Sequence, residues 1–428
     1  MMKLHTLFLS TALLSTPAYA ADLGVLTSLD ICDELGLSGL TLSSDTNCLQ
    51  VTGSVYYEFY WGDYGDTVDL AGANPLAYSG DFLAIDDNGA GEDWETYVET
   101  YLKFVGTAAS DFGPAKAVVE IYGYEELGIL NEAFDYGGGS VEFDYAYVSV
   151  GDTTVVSAGL QDSIANLDDD EAFGWIQSFL SDDVGDGVAF DNAAGGVYDT
   201  DDHSIQIVSD LGNGVKVGGA LEALNTGADA GSAIGVISYG GETISAHFTA
   251  VAGEILDGSL DDFAIHTGVT ATFDKFKARA ALAANDTGWW NGIISGEAKF
   301  DMFALAAAVD ANAEREWSAV GSATIDITEE IVLKGAVRYL DSDTAIADDE
   351  GLEVRLRAEY KATEALTLAF EGGNIWVGAG AVNGSQSIFD GLVEATWAPG
   401  GGFEATSAVA ANSLGAYKVS FTASKDFE

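Results

Sequence analysis

The chain has 428 residues and carries 69 acidic against 16 basic side chains, a formal net charge of −53. So negative a surface excludes a nucleic-acid binder, because neutralising phosphates needs a basic face, and it favours cations at the surface. A hydrophobic content of 48% excludes a disordered chain.

Residues 1–20 read as a secretory signal peptide. Lys3 gives a weak positive start, Leu4 to Leu14 is mostly apolar, and Ala18-Tyr19-Ala20 forms a cleavage site before Ala21-Asp22. Residues 21–50 follow as an N-terminal segment that holds both cysteines, Cys32 and Cys48. The remainder, 51–428, reads as one β-domain. No mature stretch has eighteen consecutive apolar residues, so a helical membrane span is not expected. A transmembrane β-barrel escapes that criterion, because its apolar surface sits on every second residue.

Period-two alternation governs the β-domain. Expected strands cover 51–60, 95–105, 115–123, 141–150, 153–160, 203–209 and 214–223. They continue at 231–239, 241–250, 262–273, 275–284, 290–300, 302–310 and 317–327. The last are 329–340, 351–361, 364–371, 387–397, 402–409 and 415–427. Some of these segments are short enough to count as loop excursions. In "SVEFDYAYVSV", Val141, Phe143, Tyr145 and Tyr147 share one face, with Glu142 and Asp144 on the other. In "LEVRLRAEY", Leu352, Val354, Leu356 and Tyr360 oppose Glu353, Arg355, Arg357 and Glu359. Lys334 and Arg338 share the polar parity of 330–340, and Lys277 and Arg279 that of 275–284.

Turns are tight at Gly151-Asp152, Gly240-Gly241, Asp274, Asp301 and Thr328-Glu329, whereas 61–94, 160–202, 341–350 and 372–386 are longer. Short turns on one rim and long connections on the other are the layout of a transmembrane antiparallel barrel. The glycine runs Gly137–Gly139 and Gly400–Gly402 lack the context of a phosphate loop and read as turns.

The connection at about 161–202 is acidic: Asp162, Asp168, Asp169, Asp170, Glu171, Asp182, Asp183 and Asp186 line it. Its apolar residues, among them Phe173 and Trp175, predict that it packs against the barrel and narrows the pore. Lys277, Arg279, Lys334, Arg338, Arg355 and Arg357 are expected to form a basic luminal wall facing that loop. Such opposed charges set up a transverse field. Glu142, Asp144, Glu353 and Glu359 are the expected luminal carboxylates.

An enzyme is not expected. His203, His247 and His266 are the histidines of the mature chain, on separate strands, and no H-E-x-x-H, G-x-S-x-G or C-x-x-C occurs. No cofactor is required. Asp199, Asp201 and Asp202 offer a weak oxygen site for Ca²⁺, with a solvated acidic loop the preferred reading.

The N-terminal block resembles the alphaproteobacterial porin family of general-diffusion outer-membrane channels. The resemblance is carried by Cys32-Asp33, Gly36, Gly39 and Asp45-Thr46-Asn47-Cys48-Leu49 ahead of Gln50-Val51-Thr52-Gly53-Ser54-Val55. It departs from the family pattern at Val51, Thr52 and Ser54. A second likeness is "VEFDYAYVSVGDTTVVSAGLQDS", where Asp144 and Ala146 match and Tyr145 replaces a basic residue. Phe427 stands in for the family's terminal aromatic, read by the barrel-assembly machinery, and is followed here by Glu428.

The resemblance implies a homotrimer of sixteen-stranded barrels in the outer membrane, in contact with lipid and lipopolysaccharide, with the third loop folded inward. The segment count also allows eighteen strands. Tyr57, Phe59, Val419, Phe421 and Phe427 are candidate subunit contacts. Cys32 and Cys48, in a compartment where disulfides persist, are expected to pair and staple the N-terminal segment.

The expected function is a water-filled channel for passive diffusion of ions and small hydrophilic solutes, with a preference for cations. One alternative is a channel selective for a sugar or another nutrient, with Trp94, Trp175, Trp289 and Trp290 as a luminal aromatic ladder. The other is a structural, Ca²⁺-bridged surface barrel.

Overall fold

The computed structural model describes residues 31–32, 35–64, 93–130, 134–165, 171–175, 188, 202–225, 231–256, 258, 263–313, 315–341, 350–378 and 386–427. The signal-peptide residues 1–20 lie outside them. A short strand, β1 (Thr41–Ser43), precedes β2 (Asn47–Asp63), β3 (Asp93–Ser110), β4 (Gly113–Leu130) and β5 (Phe134–Gly151). Next come β6 (Thr154–Leu160), β7 (His203–Gly212), β8 (Val215–Glu222), β9 (Ser232–Gly240), β10 (Ile244–Ala252) and β11 (Phe263–Phe273). The chain continues through β12 (Phe276–Asn285), β13 (Trp290–Lys299), β14 (Phe303–Asn312), β15 (Trp317–Asp326) and β16 (Ile331–Asp341). It ends with β17 (Gly351–Lys361), β18 (Leu366–Val377), β19 (Gln386–Gly400), β20 (Phe403–Asn412) and β21 (Tyr417–Phe427).

From β2 onward each strand pairs antiparallel with the next, and β2 pairs with β21 from Gly53↔Phe427 to Asp63↔Tyr417, closing a barrel of 20 strands. The expectation of sixteen strands, or eighteen, is therefore corrected to twenty. The segments that looked like loop excursions are wall strands with partners on both sides. The short β6 pairs with β5 from Ala146↔Leu160 to Gly151↔Val155, and with β7 from Thr154↔Ser209 to Leu160↔His203.

Turn chemistry sets the tight rim. Asn213 (φ 55°) and Gly214 (φ 81°) close the β7–β8 hairpin with the two left-handed residues that a twisted two-residue turn demands. Gly400, Gly401 and Gly402 form the β19–β20 turn. The other glycine run behaves differently, since Gly137–Gly139 lies within β5 and pairs with Glu125 to Leu127 of β4.

The outer face is apolar on strand after strand. Ile207, Ile237, Phe248, Val269, Ile294, Val309, Val337, Leu356, Phe370 and Val393 are all exposed on it. Aromatic pairs mark both rims: Phe300–Phe303 (4.7 Å) and Trp397–Phe403 (5.6 Å) near the tight turns, Trp317–Tyr339 (5.0 Å) and Trp61–Tyr417 (5.7 Å) near the long connections. Most strands from β7 on have about the length needed to cross a bilayer. At 18 residues each, β3, β4 and β5 are longer and stand beyond it on the rim of the long connections.

One bulge changes which side chains reach the lumen. Glu120 faces Tyr145 and Ile121 faces Phe143, so Asp144 is the extra residue on β5. Val141 and Phe143 point outward, and so do Val148 and Val150. Tyr145 and Tyr147 consequently point inward, opposite to the side that strict alternation assigns them.

Candidate functional site in the barrel lumen

Three zones make up the inner wall. The first is the seat of the long connection between β6 and β7. A set of inward positions on β12 to β16 is small or apolar, namely Ala281, Ala283, Ile293, Ala308, Val320 and Ala336, and these form one buried cluster with Ala172 and Val188 of the connection. Trp175 packs on that cluster.

Hydrogen bonds fix the loop's course. Phe173 N donates to Ser295 Oγ (2.8 Å) and Trp175 N to Ser322 Oγ (3.2 Å), while Arg279 Nη1 donates to the Glu171 carbonyl (2.9 Å). Gly174, at φ +115°, passes so close to the wall that a Cβ would collide with Ser322 Oγ. The loop's first residues are held the same way. Ile164 N and Gln206 Nε2 both donate to Glu222 Oε1, at 3.0 and 3.1 Å, and Glu222 is fully buried. Ala165 packs with Ala220, Ile234, Val251 and Ala264.

The expected basic wall divides into two groups. Lys277 and Arg279 lie against the loop, with Nζ of Lys277 5.9 Å and Cζ of Arg279 4.7 Å from the Phe173 ring centroid. Lys334, Arg338, Arg355 and Arg357 belong to the second zone, an ion-pair network across β16 to β19. Arg338 pairs with Glu353 at 2.9 Å, with side-chain exposures of 0% and 1%. Arg355 reaches Glu353 (2.9 Å), Glu371 (2.8 Å) and Asp390 (2.8 Å). Arg357 reaches Glu359 (2.7 Å), Glu371 (3.1 Å) and Glu394 (2.6 Å), and Lys334 adds Glu359 at 2.8 Å. Three of these carboxylates, Glu371, Asp390 and Glu394, escaped the sequence reading. Their signal was a lone acid at an inward parity inside an apolar run, as in "LTLAFEGG".

Tyrosine and carboxylate make up the third zone, on the inner face of β2 to β5. Across β2 and β3 the register sets Tyr56 against Glu99, Glu58 against Tyr97 and Tyr60 against Glu95. Across β3 and β4 it sets Tyr97 against Glu126, Glu99 against Tyr124 and Lys103 against Glu120. Tyr101 and Tyr122 face each other with ring centroids 4.9 Å apart. The expected luminal acids border this zone: Glu142 is opposite Tyr122, and Asp144 lies within electrostatic reach of Glu120, Asp162 and Lys103. Asp162 accepts hydrogen bonds from the Tyr145 hydroxyl at 2.8 and 2.7 Å, tying loop to wall.

The sequence signal for this wall was present as Y-x-E spacing in "YYEFY", "ETYVETY" and "YGYEE". Tryptophans do not form the ladder. Trp94 pairs with outward Trp61 and Trp290 is exposed on the outer face, while Trp175 and Trp289 belong to the loop seat.

Asp168, Asp169, Asp170, Asp182, Asp183, Asp186, Asp199 and Asp201 lie outside the described residues. Asp202, at φ 57°, accepts from Gln161 N through its carbonyl (3.2 Å). Among the described residues, no group of three or more His, Cys, Asp and Glu is placed to hold a metal ion. His247 and His266 are both buried in the lumen wall with ring centroids 4.5 Å apart.

No family model matches the sequence, and no curated protein matches it. Among solved structures, the chain is similar to a triple mutant of the Rhodopseudomonas blastica porin at 12% identity, covering 89% of this chain and 100% of that one, with a TM-score of 0.36. It is also similar to Pseudomonas aeruginosa OccK7 (OpdD) at 8% identity, covering 88% and 99%, with a TM-score of 0.46.

Proposed function

We propose that the protein is an outer-membrane channel through which ions and small hydrophilic solutes diffuse passively, with a preference for cations. One observation carries the reading. A closed ring of strands turns an apolar belt outward, bounded by aromatic girdles, and turns ionised side chains inward. Lipid satisfies the first surface and water the second.

The cation preference rests on where charge goes uncompensated. On the β16–β19 side, arginines and lysine are interleaved with carboxylates. On the β2–β5 side, the inward parity carries Glu58, Glu95, Glu99, Glu120, Glu126 and Glu142 against Lys103 and Lys116, and the overall charge of −53 adds to the same field. In this reading residues 1–20 are removed on export, the disulfide-bonded segment at 21–50 stands in the periplasm, and the acidic loop lies at the constriction against Lys277 and Arg279 of the basic wall. Membership of the alphaproteobacterial porin family is supported by the cysteine block. A homotrimer would bury the outward seam residues, where Phe59 lies opposite Phe421 and Tyr57 packs 6.3 Å from it.

Single-channel recording in planar bilayers under a KCl gradient tests the proposal. Discrete conductance steps with a reversal potential on the K⁺ side are expected. No conductance would refute the channel, and reversal on the Cl⁻ side would refute the cation preference.

A further inference from the structure

The tyrosine–carboxylate wall is more specific than a charged lining requires. Its luminal positions form a checkerboard in which a ring on one strand stands directly across from a carboxylate on the next: Tyr56↔Glu99, Tyr97↔Glu58, Tyr97↔Glu126 and Tyr124↔Glu99. The rings touch one another along the wall. Centroids are 6.4 Å apart for Tyr56–Tyr97, 6.1 Å for Tyr97–Tyr124 and 5.8 Å for Tyr122–Tyr124.

Glu99 is held in the middle of the group. The Tyr97 hydroxyl donates to its Oε2 at 2.6 Å and the Tyr122 hydroxyl at 3.4 Å, with the two phenol oxygens 2.8 Å apart. The chain's own ammonium groups already sit on tyrosine faces beside this group. Lys103 Nζ is 4.5 Å from the Tyr145 centroid while pairing with Glu120 at 2.6 Å, and Lys418 Nζ is 4.4 Å from Tyr60.

We propose that this wall is a binding track for small organic cations bearing an ammonium group. The inference rests on the channel reading and deepens it by naming a solute class. A ring face attracts an alkylammonium through its quadrupole and a neighbouring carboxylate attracts it through charge, so alternating the two gives a cation a continuous series of favourable positions. K⁺ is strongly hydrated and gains little from ring faces. A methylated ammonium gains from both surfaces, as the Lys103 ammonium does in place between Tyr145 and Glu120. A neutral sugar would use the rings and leave the carboxylates without a charged partner. The track runs along β2 to β4, on other strands of the 20-strand ring than the loop seat at β12 to β16.

The experiment adds choline, and separately maltotriose, to one side of a bilayer carrying KCl current through the full-length protein. Choline is expected to give a saturable, voltage-dependent reduction of K⁺ current, and maltotriose none. Tyr97→Leu and Glu99→Gln should each raise the half-blocking choline concentration about three- to tenfold, the range that loss of one ring face or charge corresponds to. Tyr97→Phe keeps the ring face but drops the hydroxyl that holds Glu99, so its half-blocking concentration should rise less than that of Tyr97→Leu, and unchanged KCl conductance in all three variants separates binding from a folding defect.

Channels that conduct KCl without saturable choline block would overturn the inference and leave the channel reading standing. So would block unchanged by Tyr97→Leu and Glu99→Gln, or block by maltotriose instead. Absence of KCl conductance would instead remove the channel reading on which the inference stands.

Discussion

Arg355 and Gly373 face each other across β17 and β18, and the guanidinium lies where a side chain on the partner would go. A Cβ on Gly373 would sit 2.8 Å from both Cζ and Nη2 of Arg355. The arginine has little room to yield, because Glu353, Glu371 and Asp390 hold it from three sides. Gly373→Val is expected to destabilise the barrel by about 1–3 kcal/mol, as overpacking of a tight site does. Urea unfolding in detergent measures this. A midpoint equal to the parent's would show that the guanidinium is loosely held.

Glu353 is the shared acceptor of Arg338 and Arg355 at the buried end of the network. Glu353→Gln removes that charge while keeping the volume, and a loss of about 3–5 kcal/mol is expected, because two buried guanidiniums share this carboxylate and lose its charge together. Adding Arg338→Met should recover part of the loss, since the cation then goes too. A double variant less stable than Glu353→Gln alone would contradict the assignment of the cost to an uncompensated charge.

Much of this architecture was legible in alternation alone. Each of the twenty barrel strands overlaps a segment picked out by period two, including the short β6. The strand number itself is not readable from alternation, because hydrogen bonding on both edges is invisible in one sequence; sixteen is what the family resemblance implies, and the closed ring has twenty. The inward faces of β16 and β17 were equally plain, with Lys334, Arg338, Glu353 and Arg355 all at the polar parity.

What stayed hidden depends on geometry that no local pattern encodes. A single inserted residue at Asp144 reverses Tyr145 and Tyr147, and a bulge has no composition of its own. Tyrosine is ambiguous as well, being apolar enough for a lipid girdle and polar enough for a lumen, so Tyr97 and Tyr122 gave no clear side. The alanines of the loop seat, such as Ala281 and Ala308, read as weak strand residues until the loop is laid over them.

Ser295 and Ser322 hold the loop by accepting backbone N–H groups of Phe173 and Trp175. Replacing both with alanine leaves two donors without these acceptors, about 1–3 kcal/mol for each if no water replaces them. The loop should then leave its seat while the barrel persists. The expected readout is a noisier, larger single-channel conductance, together with new protease cleavage within 161–202 and an unchanged far-ultraviolet circular dichroism spectrum. Conductance and cleavage identical to the parent would show that the apolar cluster alone seats the loop.

The Cys32–Cys48 disulfide closes a separation of 16 residues, and both sulfurs are buried. Cys48 is already part of β2, and β1 pairs with β2 from Thr41↔Gln50 to Ser43↔Cys48. The pairing of β21 with β2 starts at Gly53↔Phe427, so β1 takes over the same edge of β2 just beyond the seam. An uncovered edge there would present unpaired backbone groups at the rim. The disulfide makes that cover durable, worth about 2–4 kcal/mol by chain-entropy reasoning. Because the barrel closes without β1, the loss on reduction should be local. Hydrogen exchange followed by mass spectrometry should show faster exchange at 35–52 after reduction, with β3 to β21 unchanged. Faster exchange in β21 as well would mean that the staple supports ring closure itself, and loss of protection throughout would mean that the barrel depends on it.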